Sequence, residues 1–193
     1  MHFYNAGQKG LKGSADEGGV RVPFFIRWDG KFEADRDLDT LSAPLDILPT
    51  LADITGADIP ANQVEGRSFL PLLSGEKDTL PDRFLFTQQA RWETGSEPNL
   101  HQWTGWSVRN QRYRLVGDAL FDITTDPGQT TNVADQHPAL IKGMRSAYDA
   151  FWKEARPLMV NEDVPMSKTQ PFHLWYDEQL KAGGIPGWTP PSL

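Results

Sequence analysis

Apolar positions along the chain change their spacing several times, and each change marks an expected element. From Val20 to Trp28 they run almost unbroken between Gly19 and Gly30, which predicts a strand buried on both faces. Pro23 lies near its start, where a missing N–H is tolerated. From Asp37 to Gly56 the pattern reads as a connection and then a helix, with Leu45, Leu48, Leu51 and Ala52 on one face. Ser42 is its expected N-cap and Gly56 its left-handed stop, and Pro49 must bend the helix or split it. Arg83 to Gln88 predicts a strand. Trp106 to Gly117 predicts a hairpin turning at Asn110 and Gln111, with Val108, Tyr113 and Leu115 as inward positions. Leu120 to Ile123 adds a third antiparallel strand, ended by Asp126-Pro127-Gly128. Helical spacing returns from Pro138 to Ala155, where Leu140, Met144, Ala147, Tyr148 and Phe151 share one side. The last segment, Pro157 to Leu193, is rich in Pro, Gly and Trp and is expected to wrap over the larger body as an ordered tail.

Strands joined by hairpins and closed by a helix predict an antiparallel sheet with a helix packed on it. With 193 residues and 38% hydrophobic content the chain can supply a core. Its 19 Lys and Arg against 26 Asp and Glu give a net charge of −7, which argues against a nucleic-acid surface, whose phosphates need a concentrated basic stripe. The lysines near the N-terminus are a local exception. No stretch approaches the ~20 apolar residues that cross a bilayer, so no membrane partner is expected. Met1-His2-Phe3-Tyr4-Asn5 lacks the basic start and apolar region of a secretion signal, and these residues leave localisation open. The absence of cysteine excludes disulfides and thiolate metal sites.

Four motifs carry a family resemblance. Gln8 to Pro23 is a Gly-rich loop with Lys9 and Lys12, then Glu17-Gly18-Gly19, then Arg21-Val22-Pro23 leading into Phe24-Phe25-Ile26. Ser42 to Gly56 contains Asp46, Pro49-Thr50-Leu51 and a terminal Gly. Glu65 to Gly75 reads Glu-Gly-Arg-Ser-Phe-Leu-Pro-Leu-Leu-Ser-Gly, and Leu120 to Ala134 contains Asp122, Asp126-Pro127 and Asn132. In this order they resemble segments of the sulfatases, the formylglycine-dependent sulfuric ester hydrolases of the alkaline phosphatase superfamily. The resemblance implies an α/β, alkaline phosphatase-like fold of which this chain is a fragment. Residues 1–82 would be the tail end of the large α/β domain, 83–156 the small C-terminal antiparallel sheet and helix, and 157–193 the wrapping tail.

Sulfatase chemistry needs three things. The nucleophile is a formylglycine made from a Cys/Ser-x-Pro-x-Arg motif; here Ser42-Ala43-Pro44 and Ser96-Glu97-Pro98 lack the following Arg, and neither is expected to be modified. The family's Ca2+ is held by several carboxylates and an amide, hard oxygen ligands suited to a hard cation, from an early Asp-Asp pair and a later Asp-Asn-Gly. None of these motifs is present. The third requirement is cationic groups around the sulfate. Lys12, followed by Gly13, Ser14 and then Glu17-Gly18-Gly19, matches the family lysine that points its ammonium at the sulfate oxygens, where a fixed cation stabilises charge as the S–O bond breaks. Lys9 is a second substrate-side candidate, on the rim of the site or solvated. Lysine is ordinarily solvent-exposed, and only the surrounding motif raises Lys12 above that expectation.

Other residues have structural readings. Glu17 and Arg21 are expected to form an ion pair that shapes the turn, with Gly18 and Gly19 giving positive φ. His101 has no second ligand at metal spacing. His173, with Glu162 and Asp163, could border a pocket but reads first as packing. Asp122 and Asp126 read as turn chemistry. Trp103 and Trp106 could stack on a sugar and read first as core. Two function classes remain. One is the C-terminal part of a sulfatase acting on sugar or aryl sulfate esters, inactive alone and, by resemblance, from a periplasmic or extracellular enzyme. The other is a non-catalytic truncated or free-standing binding module derived from a sulfatase. The apolar Val22, Phe24, Phe25 and Ile26 favour the first, and leave open self-association through the severed strand.

Overall fold

A computed structural model of the chain describes residues 4–60, 64–89, 92, 96–159, 170–184 and 187. The chain divides into two units, Met1–Pro157 and Leu158–Leu193.

The first unit is built on a four-stranded antiparallel sheet: β1 (Leu85–Gln88), β2 (Trp106–Arg109), β3 (Tyr113–Val116) and β4 (Ala119–Asp122), ordered β1-β2-β3-β4. The register pairs Phe86 with Val108, Val108 with Leu115, and Leu115 with Leu120. One cross-strand row of apolar side chains results, because alternate residues of a strand point to the same face. Helix α4 (Pro138–Met159) lies over this row with Met144, Tyr148 and Trp152 buried. Trp106 stacks on Tyr148 with ring centroids 4.8 Å apart, and the Tyr148 hydroxyl donates to the Gln102 carbonyl at 2.6 Å. The hairpin at Asn110 is fixed by side chains: Asn110 Oδ1 accepts from the Arg112 and Tyr113 N–H groups, and Asp82 accepts from Asn110 Nδ2 and the Gln111 N–H.

The strands and the helix fall where the period predicts them. Trp106 is core, as read, whereas Trp103 packs edge-on against it and stays 45% exposed. Asp122 and Asp126 do serve turns, accepting from Thr124 and from Thr130 and Thr131 respectively.

The N-terminal part departs from expectation in three ways. The first is the strand at Val20 to Trp28. A one-turn helix, α1 (Glu17–Val20), ends at Val20, and residues 21–30 are exposed without strand structure. Among the described residues, no backbone group of residues 22–27 has a backbone partner. A strand exists only through its ladder, so this segment has extended sequence character and no sheet to enter.

The second departure is in the helix after Asp37. Pro44–Asp46 forms a 3-10 turn, and α2 (Ile47–Thr55) follows with Pro49 in its first turn, where its missing N–H costs nothing. Gly56, at φ +71°, ends it as expected. The start is set by Asp46 Oδ2, which accepts from the Ala43 N–H at 2.8 Å, and Ser42 is exposed rather than capping. Leu45, Leu48 and Leu51, which with Ala52 were read as one face, are also exposed; of that set only Ala52 is buried. The face that is buried carries Asp46, Pro49 and Thr50 instead. Thr50 accepts from the Phe69 N–H at 3.1 Å, beside α3 (Leu70–Leu73) and its cluster of Phe69, Leu72 and Leu73.

The third departure concerns glycine. Gly18 and Gly19 sit in α1 without positive φ; what they provide is room. A Cβ on Gly19 would lie 2.3 Å from the Ser14 carbonyl oxygen, and one on Gly18 2.7 Å from that of Gly10.

In the second unit, α5 (Pro171–Lys181) is a helix within the segment read as an ordered tail, for which no helix was expected. Its flanking prolines and glycines concealed it, although Pro171 at the first turn suits a helix start. His173 lies on α5, and its proposed companions Glu162 and Asp163 lie outside the described residues. No helix among the described residues is long and apolar enough to cross a membrane.

Candidate functional site

The sheet has a second face, and it is not apolar. Alternation that sends Val108, Leu115 and Leu120 toward α4 sends Ser107, Arg114 and Phe121 the other way, and all three are buried. Their cover is the Gly-rich loop of residues 9–19. Lys9 Nζ lies 5.1 Å above the Phe121 ring, and Arg114 Nη1 donates to the Ala15 carbonyl and to Ser107 Oγ, each at 2.9 Å.

Glu17 is the centre of this contact. Its side chain is 2% exposed, and its Oε2 accepts from Arg114 Nε at 3.0 Å and pairs with Arg114 Nη2 at 2.9 Å. Arg109 Nε lies 3.5 Å from the same oxygen, and Arg21, the partner expected from sequence, is the most distant at 3.9 Å. The Glu17 N–H donates to Gln129 Oε1 at 2.8 Å, and Gln129 Nε2 donates to Asp16 at 3.2 Å. Burial pushes the Arg114 and Arg109 guanidinium groups below their ordinary range, against the pull of Glu17; both remain charged, as arginine always does in proteins.

Lys12 is exposed on the turn between Gly10 at φ +88° and Gly13 at φ +90°. Among the described residues its ammonium has neither an ion-pair nor a hydrogen-bond partner. Lys9 differs, because its ammonium lies 3.6 Å from Asp16 Oδ1 as well as over Phe121. The structure thus brings Lys9, Asp16, Glu17 and Arg21 onto one loop and ties them to Arg109, Arg114 and Gln129. Reading the sequence missed the last three. Arg114 did carry a signal, as an arginine flanked by the core residues Tyr113 and Leu115 in a strand.

A second buried ion pair lies between α2 and β1. Asp46 is 1% exposed; its Oδ1 accepts from Arg83 Nη1 at 2.8 Å and from the Arg67 N–H at 2.9 Å, and its Oδ2 pairs with Arg83 Nη2. Burial pushes this carboxyl up, but the hydrogen bonds from Arg83, Arg67 and Ala43 and the Arg83 charge together hold it below the ordinary carboxylate value. His101 has local partners, Ser96 Oγ at 2.7 Å from Nε2 and the Trp92 ring at 5.3 Å.

The residues present do not fit a calcium site. Among the described residues, the two fully buried carboxylates, Glu17 and Asp46, are paired with arginines, and no group of three or more His, Asp or Glu could hold a metal. A cleft of about 460 Å³ between residues 36–40 and 78–82 contains none of the candidate site residues.

The chain is 30% identical to steryl-sulfatase of Mus musculus over 178 residues, covering 77% of this chain and 28% of the mouse protein. It is 33% identical to arylsulfatase D of Homo sapiens over 203 residues, covering 89% of this chain and 33% of that protein. A solved structure described under glycosaminoglycan metabolism by Bacteroides thetaiotaomicron shares the fold at a TM-score of 0.57 and 20% identity, over 76% of this chain and 32% of that one. The chain therefore spans about a third of the length of these relatives. Residues 12–149 match the family model described as N-sulphoglucosamine sulphohydrolase, C-terminal, and on that match the chain belongs to the sulfatases and carries their C-terminal domain.

Proposed function

We propose that this chain forms the C-terminal part of an enzyme that hydrolyses sulfate esters of sugars or aryl alcohols, in which Lys12 faces the sulfate. The observation that carries this reading is the contrast between Lys12 and its neighbour. Lys9 is neutralised by Asp16, whereas Lys12 stands exposed and unpaired among the described residues on a loop held by buried contacts. A cation that does not have to move or leave a partner stabilises charge developing on the sulfate's non-bridging oxygens without reorganisation. The nucleophile and the calcium ligands belong, by resemblance, to motifs this sequence does not contain, and no catalytic step is assigned to residues here beyond the electrostatic one. The same resemblance supports a periplasmic or extracellular enzyme.

Two measurements test the proposal. The chain alone, incubated with an aryl sulfate and calcium, is expected to give no turnover above buffer. In a complete sulfatase carrying this segment, Lys12→Ala is expected to lower kcat/KM about a hundredfold, from the ~3 kcal/mol that one preorganised charge supplies, while Lys9→Ala changes it far less. Turnover by the chain alone, or equally small effects of the two substitutions, would overturn the reading.

A further inference from the structure

We infer that Glu17 is a positioning residue: together with Arg114 and Gln129 it fixes the loop that presents Lys12, so that the C-terminal sheet sets where the sulfate-facing ammonium stands. This rests on the reading of Lys12 given above, and goes beyond it in assigning a role to three residues that do not touch the substrate. Sequence separation is the first argument. Arg114 and Gln129 lie 97 and 112 residues from Glu17, so these contacts are tertiary and cannot be a by-product of the local turn. The second argument is distribution. Arg114 grips the loop at the Glu17 carboxylate and at the Ala15 carbonyl, and Gln129 grips it at the Glu17 N–H and at Asp16. Three consecutive residues are therefore held by side chains of the sheet and of the turn that follows it. Between this grip and Lys12, Ser14 N–H donates to the Leu11 carbonyl at 2.9 Å, and across the base of the loop Gly18 N–H donates to the Lys9 carbonyl at 2.8 Å, which closes the loop on itself.

Gln129 adds a conformational argument. It is one of few non-glycine residues at positive φ, +50°, a conformation that glutamine seldom adopts. Asp126 holds the turn around it by accepting from the Thr130 and Thr131 N–H groups at 2.8 Å. That backbone arrangement turns the Gln129 amide toward the loop, where it is 3% exposed. The Glu17 carboxylate, for its part, faces Arg21, Arg109 and Arg114, and its loss would leave buried positive charge without a counter-ion.

The test has two arms, using Glu17→Gln and the milder Gln129→Asn, which shortens the side chain while asparagine accepts the left-handed backbone. In the chain itself, amide exchange at Ser14, Gly18 and Gly19 is expected to accelerate at least tenfold in both variants, with β2 and β3 amides unchanged as the control for folding. Exchange at those three amides equal to the parent's would overturn the proposal. In a complete sulfatase carrying the segment, Gln129→Asn is expected to lower kcat about tenfold with KM little changed. On a Lys12→Ala background the same substitution is expected to cost nothing further, because it acts through Lys12. A full additional loss on that background would also overturn it, since a general weakening of the fold does not depend on Lys12. Failure of the Lys12 reading shows separately, as a Lys12→Ala single variant with unchanged kcat/KM.

Discussion

Phe86, Val108, Leu115 and Leu120 form a row that Met144 and Tyr148 close, and the last five of these are shielded or nearly so. Val22, Phe25, Leu48 and Leu51 are equally apolar, yet they are 66%, 91%, 54% and 49% exposed. Both sets belong to the first unit of one chain. The difference is where their partners are encoded. The sheet finds its neighbours in hairpins a few residues away and its cover in α4, so its hydrophobic pattern is satisfied within this sequence. The segment from Val22 to Trp28 and the outer face of α2 have the composition of buried elements, yet among the described residues the segment finds only edge contacts, Phe24 on Phe69 and Trp28 on Phe32, and residues 22–27 have no backbone partner.

Amide exchange should give the widest contrast. Amides of β2 and β3 are expected to exchange more slowly than those of residues 22–27 by about a thousandfold or more, since the former open only with the core and the latter lack backbone partners. Slow exchange from Val22 to Ile26 in a monodisperse monomer would break the comparison. Truncation of the core comes next: Leu115→Ala is expected to cost about 2–5 kcal/mol in denaturant unfolding, and Leu48→Ala, with its side chain already half in water, well under 1 kcal/mol.

The Asp46–Arg83 pair joins the two regions, and acid should uncouple it. The Asp46 carboxyl is held below its ordinary value in the folded state, so its contribution is fully present above the ordinary aspartate range of about pH 4. It is lost as the pH falls through the lowered folded value. An acid titration followed at Trp28 or Trp92 fluorescence is expected to show this step, and Asp46→Asn to remove it; an unchanged acid limb would remove Asp46 from the account. Self-association follows as a proposal: the chain is expected to associate at micromolar concentration, and Phe24→Ser with Phe25→Ser to shift it toward monomer in sedimentation. The smallest effect is expected at Lys153→Ala, which removes an exposed pair with Asp149 on α4 and should leave the unfolding midpoint unchanged.

Period, turn residues and motif order were enough to read the antiparallel sheet, its hairpin at Asn110, helix α4 and the family. These are local or short-range features, and each is repeated at several positions, so a single misleading residue does not hide them. The strand at Val20 to Trp28 was misread for the opposite reason. Its residues satisfy the pattern of a buried strand, but pairing depends on a partner that pattern cannot reveal. Leu45, Leu48 and Leu51 share an apolar face by spacing, whereas the helix turns Asp46 and Thr50 inward because Arg83 and the Phe69 N–H are there to meet them. For the candidate site, the glycines and Glu17 around Lys12 are what the sequence offers in support of the proposal made for it.

What the sequence determined by itself is the set of elements whose stabilising contacts recur at fixed spacing, and the order of the family motifs. What only the tertiary structure decided is which charges meet. Glu17 was matched to Arg21 by proximity along the chain, but it is buried against Arg114 and Arg109, because two strands far along the chain place both guanidinium groups on the face that the loop covers. An ion pair has no period and tolerates any sequence separation. Only the fold brings its partners within 3 Å in a place where water cannot compete.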